Sequence, residues 1–282
     1  MVGFINLIKP ENMSSAYVVG GVKYTLKTPC GHMGTLDPMA SGVLPIGLGK
    51  ASRLFPYMLD KEKTYEAVFK FGLETDTLDR TGVMVRETNV IPTKSDIEKV
   101  LNNFIGDISQ IPPKYSAKCV DGKRGYELAR KGVDFSLQAK TITVLDIKAK
   151  ETEEKDQFKF TIKCKGGTYI RSLARDIGYA VGSLGTMTAL CRTQSGIFTL
   201  ENGVAVADFK SDANPMRFII PADEAVNFPK LILTGKQAQR ILDGVFENYG
   251  FNDGIYRVYN QDEFWGVGEA KDGVLRIKSY VR

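Results

Sequence analysis

Residues 31–54, GHMGTLDPMASGVLPIGLGKASRL, contain the single histidine of the chain, His32, and one carboxylate, Asp37, set between Leu36 and Pro38. Glycines at 31 and 34 permit positive φ and the close approach of a ligand, and Pro38 biases Asp37 toward an extended backbone. The carboxylate is therefore expected to be held in place. Common chemistries fail on spacing. A phosphate-binding loop read back from Gly49-Lys50 has Leu44 in place of its first glycine and Ala51 in place of its hydroxyl residue. A dinucleotide fingerprint begun by Gly47 and Gly49 has Ser52 where its third glycine belongs. Ser41 has Met39 where a nucleophile elbow requires glycine, so a Ser-His-Asp triad lacks its turn.

Two other clusters are chemically suggestive. Asp76 and Asp79 fit a D-x-x-D magnesium pair for phosphoryl transfer, or a polar turn whose carboxylates cap backbone N–H groups. The stretch Lys114–Lys131 holds six Lys/Arg against Asp121 and Glu127, interleaved with tyrosines. Such a composition suits a surface that tracks phosphates and stacks on bases, although a net charge of +5 does not by itself argue for nucleic acid. The cysteines at 30, 119, 164 and 191 form no C-x-x-C pair, which points to reduced thiols in a core rather than a disulfide framework or zinc site. No apolar run reaches the length of a membrane span, and Lys9 and Pro10 interrupt any signal-peptide core. A cytoplasmic protein is expected.

The elements that must position these residues are mixed. Strands are predicted at Gly3–Ile8, Tyr65–Phe71, Ile142–Ala149 and Phe158–Cys164, the last alternating cleanly. Helices are predicted at Ser95–Phe104, with Ser95 and Glu98 as a capping box, and at Arg171–Val181, stopped by Gly182. Past a boundary near residues 227–235, a short helix at Gly235–Leu242, capped by Thr234 and Gln237, precedes strands at Gly254–Tyr259, Phe264–Glu269 and Val274–Val281. The irregular order favours α+β over a doubly wound sheet.

The chain resembles the TruB family of bacterial pseudouridine synthases, which modify uridine 55 in the T-loop of tRNA. The resemblance rests on residues 31–54 together with GFINLIKPENMSS, KTYEAVFKFGLETDTLDRTG, QIPPKYSAKCVDGKRGYELARKG, CKGGTYIRSLARDIG and LCRTQSGIF, which follow the order of the family across residues 3–198. It implies an α+β pseudouridine synthase fold with a central mixed, mainly antiparallel sheet over residues 1–226. An RNA-gripping insertion is expected at about 107–140, and a small PUA-like RNA-binding domain at 227–282. Cys191 and Met33 depart from the arginine and threonine common in relatives.

The resemblance also assigns roles. Asp37 is the catalytic carboxylate, acting at ribose C1′ or through a glycal-type intermediate. Tyr65 stacks on the uracil and is a candidate base. Arg171 pairs with the aspartate, whose ionised form a nearby guanidinium favours. Tyr169, two residues earlier, shares a side with Arg171 if this stretch is extended. His32 fills the space left by the flipped base. Lys123, Arg124, Arg192 and Thr193 are candidate substrate contacts, with Arg192 binding phosphate or holding a carboxylate. Lys9, Pro10, Gly34 and Pro38 support the loop. No cofactor or metal is implied, and the expected partner is the T-arm of tRNA, bound by a monomer without an obligate protein partner or a membrane. A non-catalytic RNA-binding module or RNA chaperone on the same fold is the alternative.

Overall fold

The computed structural model describes residues 1–58, 62–116, 119–120 and 122–282, with side chains at all of these except 119, 120, 123, 124 and 130. The chain forms two compact units, one from Met1–Pro38, Val43–Asp60 and Gly196–Arg282, the other from Met39–Gly42 and Lys61–Ser195.

The first unit opens with β1 (Gly3–Lys9), buried along nearly its whole length, as its apolar run FINLI requires. Helix α1 (Ser15–Leu26) starts where the Ser14 hydroxyl accepts from the Tyr17 N–H at 3.1 Å, and it turns Val18 and Val22 inward. Strand β2 (Cys30–His32) pairs antiparallel with the end of β3 (Ser41–Leu48), placing His32 opposite Ile46.

In the second unit β4 (Lys63–Phe71) alternates buried and half-buried residues without a fault, so Tyr65, Ala67, Phe69 and Phe71 share one face. A hairpin of β5 (Leu73–Thr75) and β6 (Met84–Glu87) follows, then α2 (Lys94–Leu101) and β7 (Gly106–Gln110). Helix α2 starts two residues from its predicted cap. Thr93, not Ser95, accepts from the Asp96 N–H, Asp96 completes the box, and the helix ends at Leu101 before a short 3₁₀ turn. Strands β8 (Cys119–Val120) and β9 (Lys123–Arg124) pair, and α3 (Gly125–Arg130) follows. Then come β10 (Lys140–Glu151), β11 (Gln157–Cys164), α4 (Ile170–Ala180) and β12 (Gly185–Ser195). Strands β12, β4, β11, β10 and β7 lie side by side, each antiparallel to its neighbour. Ser41 and Gly42 pair in parallel with Cys191 and Arg192, which makes the sheet mixed but mainly antiparallel, as expected. Phe69 stacks on Phe160 with ring centroids 4.3 Å apart. Helix α4 lies so close to β12 that a Cβ at Gly185 would stand 2.1 Å from the Ala174 carbonyl oxygen.

The first unit resumes with β13 (Phe198–Thr199), β14 (Val204–Ala205), α5 (Val206–Ser211) and β15 (Ile220–Pro221). β14 runs parallel to β1 and β15 antiparallel to it. The remaining elements are β16 (Lys230–Leu233), α6 (Gly235–Leu242), β17 (Asn248–Phe251), β18 (Gly254–Asn260), β19 (Glu263–Lys271) and β20 (Gly273–Tyr280). They form a five-stranded sheet in the order β16-β18-β19-β20-β17. Thr234 and Gln237 cap α6 as predicted, and β16 and β17 add two strands to the three predicted for this segment. Trp265 is fully buried among Leu231, Leu233, Ala238, Ile241 and Val258. A second cluster joins distant parts of the chain: Phe4, Met33, Val43, Ala51, Leu54 and Phe198 pack with Val267 and Val281. No helix among the described residues is long and apolar enough to cross a membrane.

Candidate active site

Asp37 is half-buried in the loop between β2 and β3, and its neighbours on both sides are tied down. On the N-terminal side, the Ser15 hydroxyl accepts from the Leu36 N–H at 3.0 Å and donates to the Leu36 carbonyl at 2.9 Å. Ser15 thus satisfies both backbone groups of a buried residue, as a paired strand would. On the C-terminal side, the fully buried Lys9 ammonium donates to the carbonyls of Met13 at 2.7 Å, Pro10 at 2.8 Å and Pro38 at 3.3 Å. Burial of an ammonium is costly without such acceptors, so the strand end and the loop are locked together. Gly34 has φ +92°, a value that excludes most side chains, whereas Gly31 does not use its freedom and sits in β2 opposite Gly47. Met33 extends the ladder by donating to Pro45 O at 2.9 Å. His32, half-buried, belongs to this unit with Asp37.

Tyr65, Tyr169, Arg171, Arg192 and Thr193 belong to the other unit. Tyr65 is buried on β4 between Ile162 of β11 and Arg192 of β12, and Arg192 is itself buried. A Cβ at Gly42, with φ +104°, would lie 2.2 Å from the Arg192 carbonyl oxygen, so that crossing demands glycine. Thr193 donates to Thr64 O at 3.2 Å. The side chains of Lys123 and Arg124 lie outside the described part of the structure.

Arg171, in the first turn of α4, is 6% exposed. Its guanidinium donates to Thr77 O and Tyr115 O, each at 3.0 Å, and stands 3.5 Å from Asp79 Oδ2. Asp79, also buried, accepts through Oδ1 from Thr77 Oγ1 at 2.9 Å, Thr81 N at 2.9 Å and Thr81 Oγ1 at 2.6 Å. Asp76 accepts from Val83 N at 2.8 Å and from the Tyr115 hydroxyl at 3.2 Å. The two carboxylates therefore organise a turn, and among the described residues no group of three or more His, Cys, Asp or Glu could hold a metal. The sequence offered the turn reading of Asp79 but not its partnership with Arg171, 92 residues away. Tyr169 caps α4 and its backbone is gripped by the Gln110 amide, at 2.9 Å to N and 3.1 Å to O. The helix begins at Ile170, so the premise of an extended backbone from Tyr169 to Arg171 fails there.

Residues 23–170 match the N-terminal domain of the TruB family pseudouridylate synthases. The chain belongs to the TruB family. Residues 171–227 of this TruB-family chain match the tRNA pseudouridylate synthase B C-terminal domain, and residues 229–279 the C-terminal domain of pseudouridine synthase II TruB. It is 39% identical over 281 residues to tRNA pseudouridine synthase B of Clostridium kluyveri, covering 96% of each chain, and 38% identical to the Aquifex aeolicus enzyme of the same name, covering 99% of each. In fold it is similar to a solved H/ACA ribonucleoprotein bound to a substrate RNA containing 2′-deoxyuridine, with TM-score 0.73 and 24% identity over 99% of this chain and 85% of that one. The TruB architecture, an α+β pseudouridine synthase fold followed by a small PUA-like domain, is therefore the fold of this chain.

Proposed function

We propose that this tRNA pseudouridine synthase isomerises uridine 55 of the T-loop, with Asp37 as its catalytic carboxylate. The observation that carries the reading is the double anchoring of the Asp37 loop, through Ser15 on Leu36 and Lys9 on Pro38, in a member of the TruB family. A carboxylate whose flanking peptides are fixed is preorganised for attack or ion pairing at one atom, as catalysis by positioning requires. The N1–C1′ bond of the target breaks, the uracil turns while bound, and a C5–C1′ bond forms. The C5 proton is lost to a base and N1 gains a proton, so the reaction is an isomerisation with no redox change.

In this reading Tyr65 stacks on the uracil, Tyr169 contacts Tyr65 or the base, and His32 occupies the space the flipped base leaves. Arg171 complements the ionised carboxylate. Thr193, with Lys123 and Arg124 of the 107–140 insertion, contacts RNA, while Arg192, buried beside Tyr65, supports the sheet rather than touching phosphate. Lys9, Pro10, Gly34 and Pro38 keep the loop in shape. We assign residues 1–226 to catalysis and 227–282 to RNA contact beyond the target. The separate sheet and Trp265-centred cluster of residues 230–280 support that division. The protein acts in the cytoplasm as a single chain.

The test is tritium release from a T-arm stem-loop labelled at uracil C5, in the presence of chelator, with wild type beside Asp37→Asn. Release by wild type alone is expected. Equal release by Asp37→Asn would remove Asp37 from the mechanism, and tight RNA binding with no release by either would make the chain a binding module.

A further inference from the structure

We propose that the outer face of α1 is a second tRNA-binding surface, one that contacts the sugar-phosphate backbone beyond the T-arm. The inner face of this helix is accounted for: Ser15, Val18 and Val22 are buried, and Ser15 holds the catalytic loop. On the outside, Tyr17, Gly20 and Tyr24 follow one another at helical spacing, with Lys23 beside them and Lys27 just past the end at the left-handed C-cap, and all are exposed. Tyr17 is 60% and Tyr24 86% exposed, unusual for rings that a soluble helix gains nothing by displaying. The helix carries no acidic residue. A third cation joins from α5. The Lys210 stem crosses α1 at Gly21, where a Cβ would stand 2.9 Å from its Cε, and its ammonium lies 4.7 Å from the centre of the Tyr17 ring.

Gly20 sharpens the argument. It is exposed in the helix interior, and a Cβ there would meet nothing within 4 Å. Glycine costs a helix about 1 kcal/mol relative to alanine, and no packing within the chain asks for it. Between two exposed tyrosines it leaves a flat stretch of backbone that another chain can approach closely.

Three ammonium groups, two exposed phenol rings and a bare helix surface match a polyanion with stackable rings. Apart from the two tyrosine rings, the exposed side chains of this face are the Ala16 methyl and the lysines, which gives an apolar protein partner little to bury. The face is turned away from the loop that Ser15 holds. It lies across a helix about 10 Å in diameter and about 18 Å long, so it meets RNA several nucleotides from the target.

This inference rests on tRNA being the substrate, and the experiment keeps the two readings apart. Equilibrium binding of full-length tRNA transcript and of an isolated T-arm stem-loop is measured across a salt series, with turnover of the stem-loop recorded in parallel. For Lys23→Glu/Lys27→Glu, full-length tRNA is expected to bind at least tenfold more weakly with a log–log salt slope smaller by about two. Stem-loop affinity and turnover are expected to stay unchanged. Gly20→Glu is the folding control. It is expected to raise the Tm, because glutamate is the better helix former, yet to weaken full-length tRNA binding. Unchanged tRNA affinity in both variants, or equal weakening toward both RNAs, overturns the proposal. Failure of wild type to turn over the stem-loop would instead overturn the synthase reading.

Discussion

At the residue scale, the groups that stand out are those that fix others. Ser15 touches no proposed substrate atom, yet it fixes Leu36 beside Asp37. Ser15→Ala leaves two buried backbone groups without their partner, at a cost of about 1–3 kcal/mol each. It is expected to lower kcat about tenfold with little change in KM, and Ser15→Thr to restore part of the loss; unchanged kcat would separate loop anchoring from catalysis. Asp79→Ala removes the carboxylate beside a buried guanidinium, which commonly costs about 3–5 kcal/mol. A clearly lowered Tm in thermal unfolding is the expected result. Ser15 could not be picked out in the sequence, and Asp79 could be read there as a turn or metal-pair residue but not as the partner of Arg171. Leu36 lies 21 positions from Ser15 and Arg171 lies 92 from Asp79, and no local pattern encodes a long-range contact. Asp37 itself stood out because the glycines, the proline and the lone carboxylate share one short segment. Burial raises the Cys164 thiol from 9.0 to about 11, against smaller opposing effects of Thr168 and Lys63. The unfolded chain therefore loses this proton first as pH rises, and the stability tied to the neutral thiol is complete below pH 9 and lost between pH 9 and about 11. Cys164→Val is expected to show a shallower fall of Tm over that window than wild type.

At the element scale, local chemistry was legible where it had no competitor. Thr234 and Gln237 defined the start of α6 because no second box lay nearby. Thr234→Ala is expected to cost about 1 kcal/mol, read as a lower Tm. For α2 the sequence pattern pointed to Ser95 with Glu98, while in the structure Thr93 with Asp96 makes the same pair of bonds two residues earlier. Ile97 and Leu101 become the buried pair, one turn apart. The clean alternation of β4 and β11 made them readable, while two-residue strands such as β13, β14 and β15 carry too few positions for a period to show. The crossing of α4 on β12 was equally hidden, because only the folded backbone shows why residue 185 must lack a Cβ. Gly185→Val is expected to displace α4 and with it Arg171, abolishing turnover in a protein whose circular dichroism still reports the same mix of helix and strand.

At the scale of the whole molecule, the order of units in space departs from their order in the chain. One unit is gathered from the first 38 residues, a short middle stretch and residues 196–282. The segment Ser279–Arg282 shows what this gathering achieves. Ser279 donates to Arg53 O at 3.1 Å, Arg53 donates to Tyr280 O at 3.0 Å, and Lys50 donates to Arg282 O. Val281 lies in the same cluster as Met33, the residue after His32. Deletion of residues 279–282 is expected to lower Tm and reduce turnover even though every proposed catalytic group remains, and retention of both would assign these contacts to the surface alone. The cluster shared by Phe4, Met33 and Val281 also sets a timetable. A ribosome completes the sequence around Asp37 more than 240 residues before it adds Val281, so the packing beneath that loop is finished only once residue 281 has been made.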